Sequence, residues 1–232
     1  MITDIAVIVP AADEQDEIAG CLQSILVTAG HLPQVRTHVV VVLDACVDDT
    51  AGVVARFPDV STVLSTARCV GSARRQGADH ALARYGTDGV WLAGTDADCR
   101  VPREWLLHLV AQAAAGADLV VGTVRPRAGL PADVARAWQL AHDLSDGHPH
   151  VHGANLGISA RAYAQLGGWH DLPVHEDVDL VERAVAHGYR VMRTAGAPVR
   201  TSSRLTGRTP GGFAGHLRAL HDTSAPAEQQ TA

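Results

Sequence analysis

Short aliphatic runs alternate with amphipathic stretches along the first half of the chain. Val39–Leu43 is five aliphatic residues in a row, the pattern of a strand covered on both faces. The predicted strands are Ile5–Val9, Val39–Leu43, Val60–Leu64, Gly89–Gly94 and Asp118–Val124, and the predicted helices are Glu14–Ala29, Asp48 to about Phe57, Gly71–Tyr85 and Arg103–Ala115. This alternation predicts an α/β protein with a Rossmann-like, mainly parallel sheet flanked by helices.

The pattern changes from Pro131 onward. A helix to about Ser145 precedes a loop rich in histidine and glycine, and the tail from Thr201 has weak periodicity. Three further elements are predicted, namely a short segment Ala154–Ser159, a helix Glu176–His187 and an edge strand Tyr189–Thr194. We therefore expect one domain over residues 1–224, with halves at 1–125 and 126–224, and a disordered tail at 225–232.

Charge and composition narrow the classes of partner. The 232-residue chain has a net charge of −6 without an obvious basic stripe, which disfavours nucleic acid as a partner. It contains no lysine, so mechanisms that need a lysine are excluded. No apolar run approaches the ~20 residues of a transmembrane helix, and Met1–Val9 lacks the basic start of a signal peptide. We expect a cytoplasmic protein, with peripheral membrane contact left open.

The most informative polar residues are Asp96 and Asp98, which follow the predicted strand Gly89–Gly94. Side chains two residues apart in extended backbone point the same way, so these carboxylates can share one cation. Carboxylate oxygens suit hard divalent ions such as Mg²⁺ or Mn²⁺. A surface turn is the alternative for an isolated Asp-x-Asp.

Other polar clusters follow predicted strands at Pro10–Glu14, Asp44–Asp49 and Arg68–Arg74. Ligands of an open parallel sheet bind at the carboxyl ends of its strands, which is where these clusters fall. Some members, such as Asp13, have an alternative role as helix caps. Asp44 directly follows five aliphatic residues, and its carboxylate can accept the imide N–H of uracil or thymine, or the N1–H and amino group of guanine.

A further acidic cluster, His175 to Leu180, lies at the start of a predicted helix. One of its carboxylates could act as a general base that removes a proton from an attacking hydroxyl. Acidic residues also favour helix N-termini on dipole grounds alone, which is the alternative. Asp179 and Arg183 are four residues apart and could pair along the helix.

Seven segments in chain order resemble the motifs of one known family. They are Val9-Pro10-Ala11-Ala12-Asp13-Glu14, Val42–Thr50, Gly71-Ser72-Ala73-Arg74 with Gly77, Asp96-Ala97-Asp98, Gly153–Gly157 with Gly167-Gly168-Trp169, Glu176-Asp177 with Leu180 and Arg183, and Thr201–Arg204 with Gly207-Arg208. Over roughly residues 5–220 the chain resembles family 2 glycosyltransferases of the GT-A fold. The sequence departs from the family pattern at Leu43, which replaces an aspartate, and at Asp13, which replaces an asparagine.

The resemblance implies a single GT-A domain in which residues 1–125 bind a nucleotide-sugar and residues 126–224 carry the acceptor site. The residues that it implies at the nucleotide are Pro10, Ala11, Glu14, Asp44, Arg74 and Asp96. Asp96 and Asp98 would hold Mn²⁺ or Mg²⁺, and Asp177, beside Glu176, would be the base. The donor would be a UDP-, GDP- or dTDP-sugar, and an unidentified acceptor hydroxyl would attack it with inversion.

The acceptor side is expected to involve Asn155, Trp169 and His152, although Trp169 could instead be a core residue. The GT-A fold often supplies a late histidine as a further metal ligand, which Ala197–Ser203 lacks. The metal would then be held by Asp98, phosphates and water, or His216 would substitute for the missing histidine. The neighbouring histidines His142, His148 and His150 favour a polar acceptor loop over a zinc site. The alternative functions are a sugar nucleotidyltransferase, and a transferase-like module that binds a nucleotide without turnover.

Overall fold

The structure is a computed structural model that describes residues 1–207 and 212–224. Within these residues the chain forms seven strands and eight α-helices. The strands are β1 Asp4–Ala11, β2 Arg36–Asp44, β3 Val60–Ser65, β4 Val90–Gly94, β5 Leu119–Pro126, β6 Leu156–Ser159 and β7 Val191–Thr201. The helices are α1 Ile18–Gly30, α2 Thr50–Val54, α3 Val70–Tyr85, α4 Trp105–Ala114, α5 Ala132–Ala141, α6 Ala160–Gln165, α7 Glu176–Ala186 and α8 Phe213–Ser224.

The strands form one sheet in the order β3-β2-β1-β4-β6-β5-β7. β1 pairs in parallel with β2 on one side and with β4 on the other, and β2 pairs in parallel with β3. β6 is antiparallel to both of its neighbours, β4 and β5. The chain adds strands to one side of β1 and then crosses to the other, so the carboxyl ends of β1 and β4 flank the crevice where an open sheet binds ligands.

Alternate residues of β1 supply the two hydrophobic cores, one on each face of the sheet. Ile5, Val7 and Val9 pack into the core that contains α1 and α4, whereas Ala6 and Ile8 face the core that contains α3 and α7. This alternation follows from the two-residue period of a strand, and both faces are covered by helices. The predicted mainly parallel sheet flanked by helices is therefore confirmed.

Several local predictions were wrong, mostly at element ends and in the second half. Helix α1 begins at Ile18 rather than Glu14, and Asp13 has a positive φ of 54° in the preceding loop instead of capping the helix. The short helix α6 was not predicted, and α8 lies in the region of weak periodicity. Helix α5 ends at Ala141, four residues before the predicted Ser145, and β7 extends to Thr201. The predicted tail 225–232 lies outside the described residues.

Candidate active site

The loops that follow β1, β2 and β4 meet at one edge of the sheet. Because β1 lies between β2 and β4, the end of β2 and the loops after β1 and β4 bring four carboxylates to the same side of the molecule, namely Asp44, Glu14, Asp96 and Asp98. Pro10 and Ala11 end β1 at this edge, and the Ala11 carbonyl accepts a hydrogen bond from the Cys46 thiol at 3.3 Å. The sequence-predicted nucleotide residues from the first half thus converge.

Arg74, on α3, is the buried centre of the site. Only 2% of the residue is exposed, and its Nε donates to Glu176 Oε1 at 3.0 Å while Nη2 donates to Asp96 Oδ1 at 2.5 Å. Burial opposes the charge of the guanidinium, but the coulombic attraction of Asp96, Glu176 and Asp177 outweighs it and raises the pKa of Arg74 above its ordinary value. A buried charge must be paired in this way to be tolerated. One side chain therefore joins the Asp-x-Asp loop to the start of α7.

The backbone around Arg74 is shaped to receive it. A Cβ added at Gly153 would lie 2.7 Å from Arg74 Nη2, so a larger residue would displace the guanidinium. The Trp169 ring lies on another side, with its centroid 5.6 Å from the Arg74 Cζ, a cation–π contact. Two motifs of the sequence, Gly153–Gly157 and Gly167-Gly168-Trp169, thus contribute to the pocket that holds Arg74.

A second arginine, Arg204, lies over the other carboxylates of the site. Its Nη1 and Nη2 donate to the two carboxylate oxygens of Glu14 at 2.9 and 2.7 Å. The same Nη2 lies 3.1 Å from Asp98 Oδ2. From the sequence, Arg204 is only part of a motif, with no predicted role. Its position depends on the chain turning back after β7, which no local spacing signals.

The Asp-x-Asp loop has the donor set of a divalent-cation site. One ligand atom each of Asp96, Asp98 and Cys99 can be found within 4.8 Å of one another. Burial raises the pKa of Asp98 to about 6, and the nearby Asp96 carboxylate adds to this effect while Arg204 opposes it. Two carboxylates that are held this close, one of them poorly solvated, fit a hard cation such as Mn²⁺ or Mg²⁺. Among the described residues, this group of potential ligands contains no histidine.

Asp44 has partners within the protein. Its Oδ1 accepts hydrogen bonds from Ser65 Oγ at 2.9 Å and from the Arg68 N–H at 3.0 Å, and its Oδ2 accepts from the Cys69 N–H at 3.0 Å. These bonds fix the loop between β3 and α3, where Arg68 has a positive φ of 49°. Asp44 therefore shapes the rim of the site, and its contact with a nucleobase stays a prediction.

Glu176 and Asp177 begin α7 but have different surroundings. Glu176 is 5% exposed and bound to Arg74, and burial raises its pKa while Arg74 opposes that rise. Asp177 is half-buried, and its Oδ2 accepts a hydrogen bond of 2.6 Å from the Gly153 N–H. Its Oδ1 accepts from the Val178 N–H at 2.8 Å. Asp177 is thus the more accessible carboxylate and is held in a fixed orientation.

The structure places two of the expected acceptor-side residues, Asn155 and Trp169, in the interior. The Asn155 amide accepts from Trp105 Nε1 at 2.8 Å and donates to the Thr123 and Ala197 carbonyls at 2.8 and 3.0 Å. These bonds tie β5, β7 and α4 together in the interior, so Asn155 has a structural position. Trp169 is only 3% exposed, packs in the α3–α7 core and contacts Arg74, which agrees with the core alternative for this residue. Acceptor contacts of Asn155 and Trp169 stay predictions.

His152 belongs to a stack of aromatic rings between the 148–152 segment, α5 and α8. Ring centroids are 6.1 Å apart for His150 and His152, and 4.9 Å apart for His142 and His150. His216 packs edge-on against His142 at 5.1 Å. Within the described residues, no group of three or more potential metal ligands includes a histidine, so the structure gives no support to a zinc site or to His216 as a metal ligand.

Comparison with known proteins assigns the family. The model of glycosyl transferase family 2 matches residues 6–164, more than half of the chain, so the chain belongs to this family. It is a glycosyltransferase with a single-domain fold of the GT-A type. A comparison with curated protein sequences found no significant match.

Three solved structures with the same fold contain a nucleotide or a nucleotide-sugar. S. aureus TarS 1–349 with UDP is 16% identical with a TM-score of 0.65, and the match covers 97% of this chain and 67% of that one. The mannosyltransferase PcManGT from Pyrobaculum calidifontis with GDP-Man and Mn²⁺ is 22% identical with a TM-score of 0.66, over 97% and 62% of the two chains. GalNAc-T7 with UDP, GalNAc and Mn²⁺ is 13% identical with a TM-score of 0.65, over 90% and 46%.

The chain therefore spans between about half and two thirds of the length of these three relatives. At these identities the likeness establishes the fold alone. Among the described residues, no helix has the length and apolar character needed to span a membrane.

The histidine stack predicts a loss of stability in mild acid. Burial lowers the pKa of His152 to about 4, and burial lowers the pKa values of His142 and His150 as well. At these three positions the unfolded chain, with histidine pKa values of about 6.5, therefore binds protons that the folded chain does not, between about pH 6.5 and 4. We expect the three histidines to lower the free energy of unfolding, measured by urea denaturation, as the pH falls through this window, against the opposite contribution of Asp98 and Glu176, whose pKa values are raised in the folded protein.

His152→Phe keeps an aromatic ring and should reduce the slope of stability against pH, because it removes one of the buried titrating groups. His31→Phe, which removes an exposed histidine outside the stack, is the matched control and should leave the slope unchanged. Equal slopes in wild type and His152→Phe would refute the role of the stack.

Proposed function

We propose that this protein is a metal-dependent, inverting glycosyltransferase that moves a sugar from a nucleoside-diphosphate sugar to an acceptor hydroxyl. The observation that carries the proposal is the ion pairing of Arg74 with both Asp96 and Glu176. This pairing joins the Asp96–Asp98 loop to the start of α7, where Asp177, the candidate general base, follows Glu176. A displacement at an anomeric carbon needs a cation site and a base on one crevice. A module that only binds nucleotides has no use for a base held in this position.

The donor diphosphate is proposed to lie over Asp96 and Asp98, at the edge of the sheet reached by β1 and β4. A bound Mn²⁺ or Mg²⁺ would stabilise the negative charge that develops on the departing diphosphate. UDP-, GDP- and dTDP-sugars are the candidate donors. UDP in TarS and GDP-Man with Mn²⁺ in PcManGT support this class of donor without choosing among its members.

Asp177 is the proposed general base. Its carboxylate is half-buried, so a substrate can reach it, and two backbone N–H groups fix its orientation. It would take the proton of the acceptor hydroxyl while the hydroxyl oxygen forms its bond to the anomeric carbon from the face opposite the diphosphate. The bond to the diphosphate breaks in the same displacement, so the configuration inverts. Glu176 would instead position Arg74, because Glu176 is buried and its carboxylate accepts a hydrogen bond from the Arg74 guanidinium.

Asp98→Asn tests the metal site. The amide keeps the size of the side chain but removes the negative charge, so the variant should fold and lose Mn²⁺-dependent binding of UDP or GDP in calorimetry. Asp79→Asn, an exposed carboxylate on α3, is the control and should bind as the wild type does. Unchanged Mn²⁺-linked binding by folded Asp98→Asn would remove Asp98 from the site.

Asp177→Asn tests the base. Loss of proton acceptance should lower the rate of transfer by about 10²-fold or more with donor binding retained. The measurement is release of nucleoside diphosphate over a panel of donors, with and without Mn²⁺, together with calorimetric donor binding. Near-normal turnover by Asp177→Asn with an inactive Glu176→Gln would assign the base to Glu176 instead. Wild-type protein that binds a donor but never releases diphosphate would instead favour the binding module.

A further inference from the structure

Arg204 contacts one of the two Asp98 carboxylate oxygens that a divalent cation would bind. Its Nη2 is 3.1 Å from Asp98 Oδ2, and the other oxygen, Oδ1, has only long contacts with Thr201 Oγ1 at 3.3 Å and Cys99 Sγ at 3.6 Å. Asp98 is mostly buried, with 13% of its side chain exposed. The guanidinium is thus the principal positive partner of Asp98 in the described structure.

Arg204 is held in this position from several directions. The bidentate pair with Glu14 fixes the guanidinium. The backbone N–H of Arg204 donates a hydrogen bond to Ser202 Oγ at 3.3 Å. The next residue, Leu205, accepts hydrogen bonds from the Arg218 guanidinium of α8 at 3.0 and 2.9 Å. The arginine is therefore a built part of the site rather than a side chain lying on the surface.

A guanidinium and a divalent cation on the same buried carboxylate repel each other strongly, because charges at this separation are little screened. A metal ion alone would have to overcome this repulsion or displace Arg204 toward Glu14. A diphosphate brings its own negative charge, which both cations can share. Arginine is also well suited to bind phosphate oxygens in this way.

We propose that Arg204 is a positioning residue that competes with the divalent cation for Asp98 and so makes tight metal binding depend on the nucleotide diphosphate. This inference rests on the proposed function, since it takes the Asp96–Asp98 loop to be the metal site. It predicts that the protein without nucleotide binds Mn²⁺ weakly, and that the diphosphate removes the penalty.

The test is to titrate the protein with Mn²⁺ alone and then with Mn²⁺ in the presence of UDP, GDP or inorganic pyrophosphate, following free Mn²⁺ by electron paramagnetic resonance. The same titrations without protein give the Mn²⁺ that the diphosphate itself binds, which is subtracted. Arg204→Gln should bind Mn²⁺ alone about fivefold or more tightly than the wild type. The enhancement of Mn²⁺ affinity by the diphosphate should shrink by a similar factor. Arg204→Met serves the same purpose if the glutamine variant does not fold.

Arg127→Gln is the matched control. Arg127 has the same 28% exposed side-chain fraction and loses the same charge, but it pairs with Glu17 rather than Asp98. It should change the Mn²⁺ affinity less than twofold. A folded Arg204 variant with wild-type or weaker affinity for Mn²⁺ alone would overturn the competition.

Asp98→Asn separates this failure from a failure of the proposed function. One outcome is that Asp98→Asn loses nucleotide-linked Mn²⁺ binding while the Arg204 variants bind Mn²⁺ as the wild type does. That result would support the metal site at Asp96 and Asp98 and refute the competition between Arg204 and the cation. If wild type and all variants fail to bind Mn²⁺ with or without a diphosphate, both proposals fall.

Discussion

The site depends on a single buried guanidinium. Arg74 lies on α3 beneath the strand ends and is paired with Asp96, which follows β4, and with Glu176, which begins α7. An unpaired charge at this depth would be strongly destabilising, so the loop and the helix must both approach Arg74 for the fold to be stable. The requirement for pairing thus brings together parts of the chain that are far apart in sequence.

This pairing leaves the site with more carboxylates than arginines. Arg74 and Arg204 are outnumbered by the acidic side chains around them, which are Glu14, Asp96, Asp98, Glu176 and Asp177. The excess of negative charge favours binding of a divalent cation, which in turn attracts an anionic ligand. The ion pairs that stabilise the fold and the electrostatics proposed for donor binding therefore involve the same groups.

The sequence predicted the parallel strands and their polar ends because strand burial and strand-end chemistry are local properties. It did not predict that β6 runs antiparallel, since direction depends on how distant segments dock. Asn155 and Trp169 were placed on the acceptor side by motif, but their interior contacts arise only in the assembled fold. Arg204 was missed for the same reason, as its partner Glu14 is 190 residues away in the chain.

The most direct test of this account is a thermodynamic cycle on Arg74 and Glu176, measured as the free energy of unfolding in urea. Arg74→Met should cost about 3–5 kcal/mol, because it leaves Glu176 buried without its partner. Arg74→Met with Glu176→Gln should recover part of that loss. Arg75→Met, at the exposed neighbouring position, should cost no more than about 0.5 kcal/mol. A loss for Arg74→Met as small as that for Arg75→Met, with no recovery in the double variant, would contradict the account.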